Sequence, residues 1–281
     1  AGYFVGDGCC TSIKSKYVRR SAPNSRRGRR IHPKPSVNAN VVSSDPIEGA
    51  DIRHCGESIG GRVHLGGSRG WTYYMSGGVR DWLRARGLAG KSAATKTVPD
   101  WVMTADALRV AHFIGAYFAC DGSANATVEH PFISFYSINR QLLEEVQSLL
   151  LRFGIYTMLR RRNYRPEFQA SRHVQWRLDM RRHDGSMGKF AHRIPVFGEK
   201  AKRLALFRPV AFDQPFLPDP ITRIGSAGTA PCRCLRVAEG NSFLVRDLVV
   251  HNSGGKESAE LSVQSLAGYL VRAEPVTGSK V

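Results

Sequence analysis

A chain of 281 residues holds one large domain or two modest ones, and 42% hydrophobic content marks it as globular. Lys and Arg number 41 against 23 Asp and Glu, a formal net charge of +18 with an isoelectric point near 10.1. Such a field attracts nucleic acid or an anionic membrane. No apolar run approaches the roughly 20 residues of a transmembrane helix, and no signal peptide opens the chain, so a membrane is set aside in favour of nucleic acid. The six cysteines (Cys9, Cys10, Cys55, Cys120, Cys232 and Cys234) form no Cys-x-x-Cys pair. That excludes structural zinc and reads as a reduced, cytoplasmic protein.

In chain order, residues 1–8 (Ala-Gly-Tyr-Phe-Val-Gly-Asp-Gly) read as the tail of a helix that ends in an acid and a glycine. Residues 14–34 hold the densest basic run: Lys14, Lys16, Arg19, Arg20, Arg26, Arg27, Arg29, Arg30 and Lys34. Pro23, Asn24, Gly28 and Pro33 break it, so it is no regular helix. It reads as a strand or loop that tracks phosphates, or as a solvated tail; the net charge favours the first. Residues 37–43 read as a strand and 45–55 as a short helix. Residues 62–65 and 71–75 read as a hairpin around Gly-Gly-Ser-Arg-Gly. Residues 79–88 form an amphipathic helix with Val79, Trp82 and Leu83 inward. A loop with Lys96 and Pro99 leads to the apolar helix His112–Gly122.

That helix has little polar face and is expected to be buried nearly all round. Asp121 stands at its C-terminal end, where the helix dipole disfavours a carboxylate. An acid placed against its local preference calls for a cation nearby, and a hard divalent metal fits best. The plainer alternative is a buried helix closed by an Asp-Gly turn. Beyond it, residues 132–138 read as a strand, and Asn139 caps a helix to Phe153 with Leu142, Leu143, Val146, Leu149 and Leu150 on one face. Gly154 ends that helix. Residues 155–164 form a strand carrying Arg160, Arg161 and Arg162, with Arg165 just beyond. Residues 174–181 form another, with Trp176, Leu178 and Met180 alternating against Arg177 and Arg181. The arginines suit strands lying in a DNA major groove, or a strand edge kept soluble by charge. A closing helix over 189–207 includes Lys200.

Aligning Asp7 with Asp121 reveals an internal repeat: Gly-Tyr-Phe-Val-Gly-Asp-Gly against Ala-Tyr-Phe-Ala-Cys-Asp-Gly. The pair resembles the two signature motifs of the LAGLIDADG (dodecapeptide) homing endonucleases. The resemblance implies an α+β fold: two helix-strands-helix-strands-helix units about a pseudo-twofold axis, in a monomer, over residues 1–208. It also implies that Asp7 and Asp121 hold Mg²⁺ (or Mn²⁺) over the two strands of double-stranded DNA. Lys96 falls on the family's basic position in its lysine-then-proline segment, near the scissile phosphate, or is an exposed loop lysine. Lys200 is the matching candidate in the second unit.

Residues 209–229, rich in Pro and Gly, read as a linker. From Cys234 to Ser253 the chain reads as two strands and a turn ending in Val-Val-His-Asn-Ser. Downstream of a dodecapeptide endonuclease, this resembles the C-terminal splicing motifs of inteins, the β part of a Hint-type domain over 230–252. There the Asn252 amide attacks its own carbonyl, closing a succinimide and breaking the bond to Ser253. His251 polarises the carbonyl and protonates the leaving amine, and Ser253 accepts the upstream segment as an ester. Cys234 stands where the family often has Asp or Cys, whereas Asn241 stands where many members have His. The chain lacks a starting Met and opens inside a motif. It is therefore expected to be a fragment whose partner is an N-terminal intein half with the initiating nucleophile. Residues 253–281 resemble the start of a phage terminase nuclease region, with an amphipathic helix to Leu270. Gly254-Gly255-Lys256 lacks the spacing of a phosphate-binding loop. The alternative to an active endonuclease is a DNA-binding remnant that has lost cleavage.

Overall fold

The computed structural model describes residues 1–13, 36–127, 129–162, 174–181 and 184–208, and four short strands between 242 and 272. Helix α1 (Gly2–Val5) leads into strand β1 (Gly8–Ile13), then β2 (Ser36–Val42), helix α2 (Pro46–Ser58), β3 (Gly61–Gly66), β4 (Thr72–Gly77) and α3 (Gly78–Ala85). After α4 (Asp100–Met103) the series recurs. It runs through α5 (Ala107–Asp121), β5 (Gly122–Asn125), β6 (Phe132–Ser137), α6 (Arg140–Leu151), β7 (Thr157–Arg161), β8 (Trp176–Met180), α7 (Ser186–Arg193) and α8 (Glu199–Leu204). The sheets run β1-β2-β4-β3 and β5-β6-β8-β7, both antiparallel throughout. The repeat seen in two heptapeptides thus extends to whole units, in the α+β architecture expected of residues 1–208.

The same local devices build both units. Asp45 Oδ1 accepts from the amides of Ile47 and Glu48 at 2.8 and 3.3 Å, with Pro46 in the first turn. Asn139 Oδ1 accepts from the Gln141 amide at 3.0 Å. The helix that follows the last strand of each unit starts after a glycine with positive φ, Gly77 at 65° and Gly185 at 75°, where a Cβ would be strained. One face of each sheet is apolar: Ala39 and Val41 in the first, Ile133, Phe135, Leu178 and Met180 in the second. Helices cover these faces. Phe135 stacks on Tyr117 at 5.6 Å and meets Phe118 and Phe190 edge-on at 5.1 and 5.9 Å. The leucine face expected on α6 is buried as read.

Two expectations fail. The single closing helix over 189–207 is two helices, α7 and α8. Pro195 has no amide to continue the first, and Gly198 at φ 80° starts the second. The break also packs: a Cβ on Gly115 would lie 1.9 Å from the Pro195 carbonyl oxygen. The amphipathic helix to Leu270 is replaced by strands β11 (Ser262–Ser265) and β12 (Tyr269–Arg272). They join β9 (Ser242–Val245) and β10 (Leu248–His251) in an antiparallel sheet ordered β12-β11-β10-β9. Partners on both sides of β11 outweigh helix periodicity there. The two strands expected before His-Asn-Ser are present as β9 and β10, with His251 paired to Ser242.

Candidate active site

The site forms where α1 and α5 pack backbone to backbone. A Cβ on Gly2 would lie 2.4 Å from the Phe113 carbonyl oxygen, and one on Gly6 would lie 2.3 Å from Cys120 Cβ. Only glycine permits that approach, and it brings the ends of the two helices together with Asp7 and Asp121 side by side. Each acid is followed by a glycine, Gly8 or Gly122. A Cβ there would strike Phe4 Cα at 2.4 Å or Phe118 Cδ2 at 2.2 Å. The Asp-Gly pair is therefore a requirement of the tight turn from helix into first strand.

Asp7 is exposed and Asp121 half-buried. Asp7 reaches solvent at its edge, but the packed helix ends crowd both carboxyls, and this partial loss of hydration is the main reason both titrate above the ordinary range. The Asp121 carboxyl is pushed up to about 6, with the Asp7 charge as the second cause. Lys200, then Lys96, act against the shift at Asp7; Lys96, then Lys200, act against it at Asp121.

The lysines occupy equivalent places. Lys96, only 7% exposed, donates from Nζ to the carbonyls of Gly6 and Gly8 at 2.7 and 2.6 Å. Lys200 donates to those of Phe118, Ala119 and Cys120, the first at 3.2 and the last at 3.0 Å. Each gathers carbonyls at or just past a helix end and sits at the negative pole of the dipole. Lys96 is thus no exposed loop lysine, and Lys200 is a cation at the end of α5, where the sequence called for one. The pairing is crossed. Each lysine ties down the end of one helix while its stronger aspartate partner ends the other. Burial lowers the pKa of both ammoniums, and the surrounding acids oppose that.

Of the residues that hold the lysine segments, the sequence singles out only Asn139, and only as a helix cap. Asp45 Oδ2 accepts from the Glu199 amide at 2.6 Å, so the cap of α2 also seats α8. Asn139, the cap of α6, donates from Nδ2 to the Lys96 carbonyl at 2.7 Å, and Glu145 Oε2 accepts from the Val98 amide at 2.7 Å. Glu48 is 8% exposed, accepts from Ser43 Oγ at 2.7 Å and is the strongest acidic influence on Lys200. Its only sequence signal is its place three residues after an N-cap Asp. Among the described residues no three His, Cys, Asp or Glu side chains gather as a metal cage; the acidic centre is a pair.

The raised pKa of Asp121 carries a stability prediction. Its folded value lies above the ordinary carboxylate value, so the folded state binds the extra proton between about pH 4 and 6. Its contribution is therefore fully present below about 4 and is lost as pH rises through about 6. In chelator at pH 7.5, Asp121→Asn is expected to raise the melting temperature, on the order of 2 kcal/mol for about two pH units. At pH 4 the gain should vanish. Equal melting curves at pH 7.5 would show that the carboxylate is not under stress.

Of the basic residues, Arg160, Arg161 and Arg162 are exposed on or beside β7. Arg162 Nη1 donates to Gln175 Oε1 at 2.7 Å, and its guanidinium lies 5.5 Å from the Tyr136 ring centre. Arg177 is half-buried on β8, directly across from Arg160. The run Lys14, Lys16, Arg19, Arg20, Arg26, Arg27, Arg29 and Arg30 lies outside the described residues, as do Cys234, Asn252 and Ser253.

Residues 109–194 match the model of a family described as LAGLIDADG-like domain, and so carry such a domain. The DNA polymerase II large subunit of Thermococcus kodakarensis is 47% identical over 68 residues, 24% of this chain and 4% of that protein. The replication factor C small subunit of Methanocaldococcus jannaschii is 28% identical over 159 residues, 57% of this chain and 7% of that protein. The chain thus spans only a small part of the curated relatives it matches. Among solved structures, I-DmoI in complex with DNA and Ca has a TM-score of 0.47 at 14% identity, covering 73% of this chain and 93% of that one. I-DmoI with DNA and Mn has 0.44 at 12%, covering 69% and 92%.

Proposed function

We propose that this protein is a homing endonuclease of the LAGLIDADG type, joined to intein splicing chemistry, and that it cuts both strands of DNA at its own insertion site. The observation that carries the reading is the pair Asp7 and Asp121 at the ends of two packed helices, each end tied by a lysine. The donor set fits a hard divalent cation: two carboxylates share one groove, and the proton affinity of Asp121 is raised partly by the charge of Asp7, which a cation would relieve. Asp7 and Asp121 would hold Mg²⁺ or Mn²⁺. A bound ion supplies Lewis-acid polarisation of a phosphoryl oxygen and a lowered pKa for water. Lys96 and Lys200, fixed by carbonyls, place positive charge where negative charge develops on the phosphate. The rigid helix pair sets the spacing of the two acids against the two strands.

The strand arginines and the run over 14–34 supply phosphate contacts. Among the described residues no helix is long and apolar enough to cross a membrane, and the reading needs no membrane: it places the protein as a monomer in the cytoplasm of a phage or prophage host. At the other end of the chain, His251, Asn252, Ser253 and Cys234 carry the C-terminal steps of splicing. They act with an N-terminal segment that supplies the first nucleophile: Ser253 takes the upstream segment as an ester, and cyclisation of Asn252 then frees the joined terminase-like product from the intein.

Duplex binding is expected to be strongly salt-dependent. If six or more phosphates are contacted, affinity should fall by orders of magnitude between about 50 and 200 mM salt. A flat salt response in a filter-binding assay removes the DNA reading altogether. Incubation of insertion-site plasmid with the protein and Mg²⁺ tests cleavage: linear product supports the proposal, and tight binding without cutting identifies a DNA-binding remnant.

A further inference from the structure

The outer face of the second sheet holds one arginine unlike its neighbours. Leu178 and Met180 of β8 point into the core, so Arg177 and Asp179 alternate to the other face. There Arg177 donates to Asp179 Oδ2 from Nε at 2.9 Å and from Nη2 at 2.8 Å. The second carboxylate oxygen, Oδ1, accepts from Ser134 Oγ at 2.6 Å, and Ser134 is 1% exposed. Ser134 stands across from Asp179 in the β6–β8 register, so the carboxylate is clamped from two strands. The three side chains line a cavity of about 540 Å³ together with Tyr136, Met158 and Arg160. Arg160, directly opposite Arg177, has no ion pair among the described residues; its Nη2 meets the Met158 thioether at 3.5 Å. Two like charges face each other across the strands, and a single carboxylate attends only one of them.

A guanidinium with one edge held by a carboxylate still presents its terminal edge, two parallel N–H donors in a fixed plane. That fork matches the O6 and N7 acceptors of guanine in a major groove. A phosphate contact needs no such orientation, because a phosphate accepts from any direction. We infer that Arg177, oriented by the Ser134–Asp179 clamp, reads a guanine in the half-site facing the second sheet, while Arg160 contacts phosphate. Asp179 is a positioning residue, acting through Arg177. The inference rests on the DNA-cleaving reading above and names the base that the second unit recognises.

The test is competitive binding of the full chain to a pool of insertion-site duplexes, each base pair of the second half-site varied in turn. The wild-type protein should prefer guanine at one position by roughly 5- to 150-fold. Arg177→Ala should erase that preference and spare the other positions. Arg177→Lys keeps the charge but not the fixed planar fork, so it should weaken the preference while leaving the salt slope unchanged. Asp179→Asn removes a negative charge, so affinity for the whole pool should stay level or rise while discrimination at that position falls. Arg160→Ala should weaken binding to all sequences alike and reduce the salt slope by about one. Melting curves identify any variant that fails to fold, and Arg177→Lys and Asp179→Asn serve as gentler versions of the alanine change. If Arg177→Ala and Arg177→Lys keep the wild-type base preferences, the inference is overturned and DNA binding stands. If the wild-type chain shows no preference for its site, the underlying reading has failed.

Discussion

Asp121→Asn and Asp7→Asn are each expected to end double-strand cutting of insertion-site DNA while leaving duplex binding intact. The asparagine amide fills nearly the same volume and keeps one oxygen acceptor, so the helix packing around Gly6 and Cys120 persists. What it lacks is the negative charge that would hold a divalent cation beside the phosphate. Losing one electrostatic stabiliser of a transition state costs about 10²- to 10³-fold in rate, and losing a metal-holding carboxylate should cost at least that. Each acid is expected to serve mainly one strand, so each variant should convert supercoiled plasmid slowly to nicked circle and not to linear product. The readout is an agarose-gel time course in Mg²⁺, paired with binding in chelator. Parental cutting rates in both variants would make the carboxylates structural. Loss of binding as well would mean that the substitutions disturbed the fold.

The second large effect is expected at the junction of Asn252 and Ser253. Slow self-cleavage there should release a peptide beginning with Ser253 and leave a C-terminal succinimide on the larger piece. The reaction is intramolecular, and Ser253 is small enough not to hinder attack. Strands β9 and β10 pair in register up to His251, so the residue before the nucleophile is held in the ladder. Asn252→Ala has no amide to attack with and should stop cleavage completely. His251→Ala should slow it by roughly the 10²–10⁴ that general acid–base catalysis contributes. Mass spectrometry of the purified chain, with and without an added N-terminal intein segment, decides the matter. Release of the same peptide at the same rate from Asn252→Ala would trace the cut to a contaminating protease.

How much of this was legible depended on whether the signal was local. The cap at Asn139, the leucine face of α6 and the Asp-Gly repeat are all short-range patterns, and each places its element correctly. The dipole argument at Asp121 called for a cation, and the described structure places an ammonium, Lys200, at that helix end. Its divalent partner remains the proposal. Lys200 itself sits on α8 because of Pro195 and Gly198, yet helix-favouring residues on both sides hid the break. Lys96 had two readings of equal standing. Its burial depends on carbonyls at Gly6 and Gly8, some ninety residues away, and no window on the sequence spans that distance. The roles of Glu48 and of the second oxygen of Asp45 were invisible for the same reason. The helix read at the C-terminal end shows the converse error, where a pairing partner overrides local periodicity.

The contact between Gly6 and Cys120 bears on how such a molecule arises. At this crossing the first unit offers no side chain and the second offers a thiol, so the two surfaces fit as hollow and peg. Two copies of the second unit would bring peg against peg at a spacing that admits none. Gly6 and Cys120 are thus an unlike pair, and the Asn139 bond to the Lys96 carbonyl and the Asp45 bond to the Glu199 amide tie the two units together on either side of it. A substitution at one side of the crossing has no equivalent on the other, so the two halves are under different packing constraints.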